Sequence, residues 1–299
     1  MALIELTAGT LRLALAPEVG GSVAAFYSRE RGGHDVHWLR PASDAVLAAR
    51  DPLGMASFPL VPWCNRLRDG RAHAHGRSIA LAPNFNSVHT IHGLGWQRPW
   101  DVVSHDARSA ELTFSFQARR DGWPWSFSAW QRFELDAEGF TCRMTVRNDD
   151  DATMPLGVGH HPYFPHTPGA RLTCKVVHMW ESSADLLPTQ LSRPTFIDEL
   201  SRGIDLSQLD LDNNFTGWSR TFVVDWPDRI RQLQLVAEAP LDFFVLYCPP
   251  GEPVFCAEPV SNCTDWLNLL GRFARSDIGG SHLAPGERLS TSFRMALVG

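Results

Sequence analysis

Apolar and polar residues alternate along most of this chain. Leu112, Phe114, Phe116 and Ala118 take turns with Glu111, Thr113, Ser115 and Gln117. The same period runs through Phe127, Ala129, Phe133 and Leu135. It returns in Phe140, Cys142, Met144 and Val146, set against Thr141, Arg143, Thr145 and Arg147. Successive side chains of a strand point to opposite faces, so a period of two marks strands with one buried face. Turns at Asp121-Gly122 and Glu138-Gly139 join the three central strands, and the run Asp149-Asp150-Asp151 is expected to close them with a solvated turn. Leu233–Leu235, Phe243–Tyr247 and Leu289–Met295 read the same way. Helical periodicity is confined to Ala42–Arg50, behind a Ser43 cap, and Pro194–Arg202, stopped by Gly203. The 23 glycines and 21 prolines are spread as turn punctuation and gather into no linker. No period of about 20 to 50 residues recurs, which argues against propellers and solenoids. The pattern predicts an all-β protein, one large antiparallel sandwich domain over residues 1–299.

Composition narrows the chemistry. Of 27 basic residues, Lys175 is the only lysine, and it stands in "RLTCKVV", far from any Gly-rich turn. That excludes a P-loop and leaves Schiff-base chemistry a single candidate. A net charge of -6 argues against binding to nucleic acid, which needs a basic surface. The sequence holds no apolar run of membrane-spanning length. The start, "MALIELTAGT", carries Glu5 and no basic region, so no signal peptide is expected. Six cysteines, scattered without a C-x-x-C pair, fit buried thiols in a reducing cytoplasm.

Five groups of residues are able to carry chemistry. His73-Ala74-His75 places two imidazoles on one strand face, as some metal sites begin, but no third ligand follows at matching spacing, and "RAHAHGRS" also reads as an exposed hairpin turning at Gly76. "GVGHHPYFP" carries His160 and His161, which point to opposite faces of a strand, so at most one enters any given pocket. "VFCAEPV" brings Glu258 out of a buried apolar run, where desolvation raises a carboxyl's affinity for its proton. A packed core histidine and a surface glutamate are the alternatives for these two. Eleven tryptophans, among them Trp63, Trp96, Trp100, Trp123, Trp125 and Trp130, offer flat apolar faces suited to a sugar ring, although most belong in the core. Arg66, His92 and Asp212, near Gly- or Pro-rich turns, supply the donors and acceptors that sugar hydroxyls need.

Taken in order, "LRLALAPEVGGSVAAFY", "CNRLRDGRAHAHGRSIAL", "HTIHGLGW", "GHHPYF", "LDNNF" and "CAEP" resemble the aldose 1-epimerase (galactose mutarotase) family over nearly the whole chain. The resemblance implies a large antiparallel β supersandwich, agreeing with the strand pattern. It also implies a cytoplasmic isomerase that interconverts the anomers of a free aldose without cofactor or metal. Residue by residue, Glu258 matches the family's catalytic base and His161 its catalytic acid, whereas His160 precedes that slot. Arg66, His92 and Asp212 match residues that hold the sugar's hydroxyls. The chemistry asks for an ionised glutamate and a charged histidine at one pH, in separate environments. The chain departs from the family pattern at Leu94, where a second glycine is common, at Leu67 of "NRL", and at Val260 after Glu258-Pro259. Two alternatives stand beside this reading: a hexose-phosphate epimerase, with Arg66, Arg68 and Arg71 on the phosphate, and a sugar-binding protein without catalysis.

Overall fold

In the computed structural model, which describes residues 2–299, the alternating segments are strands whose burial follows their parity. Ser109–Phe116, Phe127–Leu135 and Gly139–Asn148 form an antiparallel meander, with apolar residues inward and Thr, Ser and Arg outward. They belong to a nine-stranded sheet that continues through Arg288–Val298 and Gln232–Ala237. A second, eleven-stranded sheet lies against it. Its middle runs Ser22–Arg29, Ser57–Leu60, Gly159–Pro165, Val254–Val260, Phe243–Cys248 and Leu211–Thr216.

Aromatic contacts knit the two inner faces together. Phe26 meets Phe140 edge-on at 4.9 Å, and Phe164 and Phe244 both meet Phe222 at 5.8 Å. His160 also lies between the sheets, 5.2 Å from the Phe293 ring. The six cysteines are buried and unpaired.

The two expected helices are present in shortened form. Asp44–Ala49 starts at Ser43, whose hydroxyl accepts from the Val46 N–H, and Phe196–Leu200 ends shortly before Gly203 at φ 98°. "RAHAHGRS" is the expected hairpin, with strands Arg71–Ala74 and Arg77–Ala80 and both turn residues, His75 and Gly76, at positive φ. The acidic run does close the meander, but it is only partly solvated. Asp151 is exposed, while Asp150 is mostly buried, pairs with Arg77 at 2.8 Å and accepts from the N–H groups of Ser126 and Ala152. Its carboxylate satisfies loop N–H groups that would otherwise be stranded.

The segment 61–100 matters most for the site. It leaves the end of Ser57–Leu60 and folds over the outer face of the eleven-stranded sheet, where Trp96 stacks on Phe58 at 5.2 Å. One side of that sheet is therefore buried against the nine-stranded sheet, and the other carries a partial lid.

Close pairing at Gly139 tests the register. A Cβ there would lie 2.0 Å from the Met295 carbonyl oxygen across the pair with Arg288–Val298. Gly139→Ala should lower unfolding stability by about 1–3 kcal/mol in denaturant titration; a variant as stable as wild type would contradict this pairing.

Candidate active site

Cross-strand register brings the two principal candidates together. Gly159–Pro165 and Val254–Val260 run antiparallel with Gly159 opposite Val260 and Tyr163 opposite Cys256, which sets His161 beside Glu258. His161 Nε2 lies 3.2 Å from Glu258 Oε1, and both side chains are more than nine-tenths buried. Asp212 reaches the same face because it pairs with Tyr247 in the next strands, Leu211–Thr216 and Phe243–Cys248.

The neighbouring histidine goes the other way, as strand parity requires. Buried between the sheets, His160 donates from Nε2 to Gln131 Oε1 at 2.9 Å and accepts the Ser57 hydroxyl at Nδ1 at 2.6 Å. The Gln131 amide is itself fixed by donating to the Gly21 carbonyl. Burial pushes His160 down to about 3, so it is a neutral core histidine with both nitrogens satisfied.

Arg66 and His92 arrive from the covering segment. Arg66 pairs with Ile91 and Leu67 with Thr90, and the His92 N–H donates to the Asn65 carbonyl at 3.0 Å. Two tight bends hold this unit. Asn65 and His92 both have positive φ, at 59° and 62°, where side chains other than glycine are strained. Gly93, at φ 77°, packs so closely that a Cβ would lie 2.1 Å from the Val61 carbonyl oxygen. Leu94, where the family often has a second glycine, has φ -119°, which any residue adopts. That departure therefore leaves the bend intact.

The result is a cavity of about 250 Å³ on the outer face of the eleven-stranded sheet. All five residues expected from the sequence, Glu258, His161, Arg66, His92 and Asp212, line it. Arg66 is held by Asp212, Nη2 to Oδ2 at 3.2 Å, and its backbone N–H and Nη1 both donate to Asn65 Oδ1. Asn65, Tyr163 and Tyr247 complete the polar wall, while Leu53, Phe85 and Leu186 form an apolar rim. No tryptophan lines the cavity. Trp63, Trp96, Trp100, Trp123 and Trp125 are buried in the core, and Trp130 lies on the outer face of the other sheet beneath Arg147 and Arg288. The aromatic surfaces facing the cavity are Phe85, Tyr163 and Tyr247 instead.

Arg68 and Arg71 do not join Arg66. Arg68 turns away to Asp265 at 3.3 Å, and Arg71 is exposed on the hairpin. His75 reaches His282, Nε2 to Nδ1 at 2.7 Å, and makes no pair with His73.

Burial sets the charge states. It raises the affinity of Glu258 for its proton well above that of an ordinary carboxyl; Asp212 adds to the rise and Arg66 opposes it. It pushes His161 down to about 3, helped by the charges of Arg40 and Arg66, and also pushes His92 well down. The separate environments expected from the sequence for the glutamate and the histidine are corrected here. The two groups touch in one buried environment, and desolvation favours the neutral form of each. Glu258 Oε2 and the Nδ1 atoms of His161 and His92 have no protein partner among the described residues. Orphaned buried polar atoms are costly in a structural core and cluster where a ligand supplies the missing bonds.

The comparisons with known proteins agree with this architecture. YphB of Escherichia coli K12, an uncharacterised protein, is 28% identical over 311 aligned residues, covering 99% of this chain and 98% of YphB. A galactose mutarotase-like protein from Clostridium acetobutylicum has the same fold, with a TM-score of 0.88 at 20% identity over 99% of this chain and 94% of its own. An aldose epimerase homologue from Caenorhabditis elegans matches at a TM-score of 0.83 and 17% identity, over 100% and 99% of the two chains. The aldose 1-epimerase family profile matches residues 2–296, and the chain belongs to that family.

Proposed function

We propose that this protein interconverts the α and β anomers of a free aldose. The observation that carries the reading is the 3.2 Å contact between His161 and Glu258, buried in the wall of a sugar-sized cavity. Anomer exchange requires one proton to leave the C1 hydroxyl and one to reach the ring oxygen. A pair that holds a single proton between two groups is enough for this, with no cofactor.

In the empty cavity that proton rests on Glu258, because burial disfavours both charges. Sugar hydroxyls entering the cavity solvate the pair and let the proton pass to His161. The Glu258 carboxylate then takes the C1 hydroxyl proton as His161 donates to the ring oxygen, and the C1–ring oxygen bond breaks. The open aldehyde turns about its C1–C2 bond. On closure Glu258 returns its proton to the carbonyl oxygen, His161 takes the proton of the attacking hydroxyl, and the starting state is restored. Arg66, Asp212 and neutral His92 hold the remaining hydroxyls.

The arginines favour a neutral sugar over a phosphosugar. Arg66 is already neutralised by Asp212, and Arg68 and Arg71 are directed elsewhere. The binding-only alternative shares this pocket and separates from catalysis only in kinetics.

Glu258→Gln and His161→Asn should each lower kcat for anomer exchange by about 10²-fold or more, with unchanged circular dichroism. Polarimetry on freshly dissolved aldoses reads this, and wild-type rates in both variants would remove the assignment. Asp212→Ala, which frees Arg66, should mainly raise KM, by about tenfold.

The pH profile follows from the direction of each shift. On the acid side, activity falls only when His161 gains a second proton for the pair, well below the ordinary imidazole value. On the alkaline side it falls when Glu258 loses the last one, well above the ordinary carboxyl value. A plot of kcat/KM against pH should therefore be flat through neutrality, with both limbs belonging to the pair. An acid limb near pH 6.5 would contradict this account.

A further inference from the structure

His161 belongs to a three-ring cluster in which Phe58 and Tyr163 also meet each other, with centroids 6.2 Å apart at 51°. Its ring lies 4.7 Å from that of Phe58, at 28° to it, and 4.7 Å from that of Tyr163, at 24°. Beyond Tyr163 comes a cation, because the Arg40 guanidinium carbon sits 3.8 Å from the Tyr163 ring centroid. Arg40 thus covers the Tyr163 ring of this cluster, on which the His161 imidazole also packs.

Arg40 is tied in place at several points. Its backbone N–H donates to the Tyr163 carbonyl at 2.9 Å, and its Nη2 donates to the carbonyls of Leu53 and Met55. Its Nε is buried without a partner, and it forms no ion pair among the described residues. Burial lowers its hold on its proton, yet the group starts so high that it stays charged. A half-buried cation with no counter-ion is costly, and stacking on an aromatic face is one of the few ways to offset the cost.

We propose that Arg40 is a positioning residue for the anomer exchange: it braces the Tyr163 ring against which the His161 imidazole packs and sets an unneutralised positive charge behind that ring. The charge adds to the burial that keeps His161 neutral and makes its proton, once loaded, easier to give to the ring oxygen. This rests on the acid–base reading of the pair given above.

Other groups also face His161. Glu258 lies beside it, and Asp212 and Tyr247 come from the next strands. Arg66 and His92 approach from the covering segment, with His92 5.0 Å away edge-on. His160 and Tyr163 share its own strand, and the buried thiol of Cys256 lies across from Tyr163. Of the two cations, Arg66 is paired with Asp212, so Arg40 alone acts uncompensated.

The test is a ¹⁵N NMR titration of the His161 imidazole, identified by its absence in His161→Asn, in wild type, Arg40→Gln and Arg40→Lys. Arg40→Gln removes the charge and leaves a shorter, neutral amide, and Arg40→Lys keeps the charge while losing the planar guanidinium, so the two separate charge from stacking; Arg40→Met gives the same reading if the glutamine variant does not fold. The wild-type ring should take up its proton only well below the ordinary imidazole value. In the neutral variant its protonation should move up by about one pH unit, and in Arg40→Lys it should stay within a few tenths of wild type. The acid limb of kcat/KM should move in parallel. An unshifted neutral variant, or a lysine variant that shifts as far as the neutral one, would overturn the proposal by reducing Arg40 to a structural tie. The titration needs no turnover, so wild-type protein inactive in polarimetry would count against the proposed function and not against this inference.

Discussion

The site depends on one interaction, the buried contact between a carboxyl and an imidazole on adjacent strands. Neither group is free to ionise alone, because each charge would sit in a dry sheet surface with few bonds to compensate it. Sharing one proton across 3.2 Å removes the need for either charge while leaving the proton available. Much of the surrounding architecture maintains that condition. The strand register sets the distance, the segment 61–100 covers part of the face, and the rings of Phe58 and Tyr163 pack against the imidazole.

The same condition explains how two adjacent histidines come to differ. His160 and His161 are both buried and both held neutral by desolvation. His160 has each nitrogen satisfied by a fixed partner, so its neutral tautomer is locked. His161 has only the glutamate and an orphaned nitrogen, so its proton inventory is free to change. Burial disfavours the charge of both; their partners differ, and in the proposed reaction only His161 is free to change its protons.

Much of the site was legible in the sequence, for reasons that are themselves physical. Strand parity put His160 and His161 on opposite faces, the family resemblance picked out His161, and an acid at the end of an apolar run offered a buried carboxyl beside the alternative of a surface one. Their adjacency was not legible. Gly159–Pro165 and Val254–Val260 are far apart in the chain, and only the sheet order makes them neighbours. Tyr247 and Asn65 went unread for the same reason, since their roles come from register and from a bend at positive φ. The tryptophans misled because large apolar rings are spent on the core, leaving the cavity to smaller aromatics on strands and loops. The helices Trp266–Leu269 and Arg275–Ile278 are too short to leave a period.

The central claim is that the Glu258–His161 pair moves protons on and off a bound aldose. Magnetisation transfer between the α and β C1 resonances of a ¹³C-labelled aldose at equilibrium measures that exchange directly, with no net reaction required. Catalytic amounts of the wild-type protein should produce exchange far above the buffer rate for at least one free aldose, and Glu258→Gln should return it to the buffer rate. Exchange that the protein never accelerates, across a panel of free aldoses at neutral pH, would contradict the account.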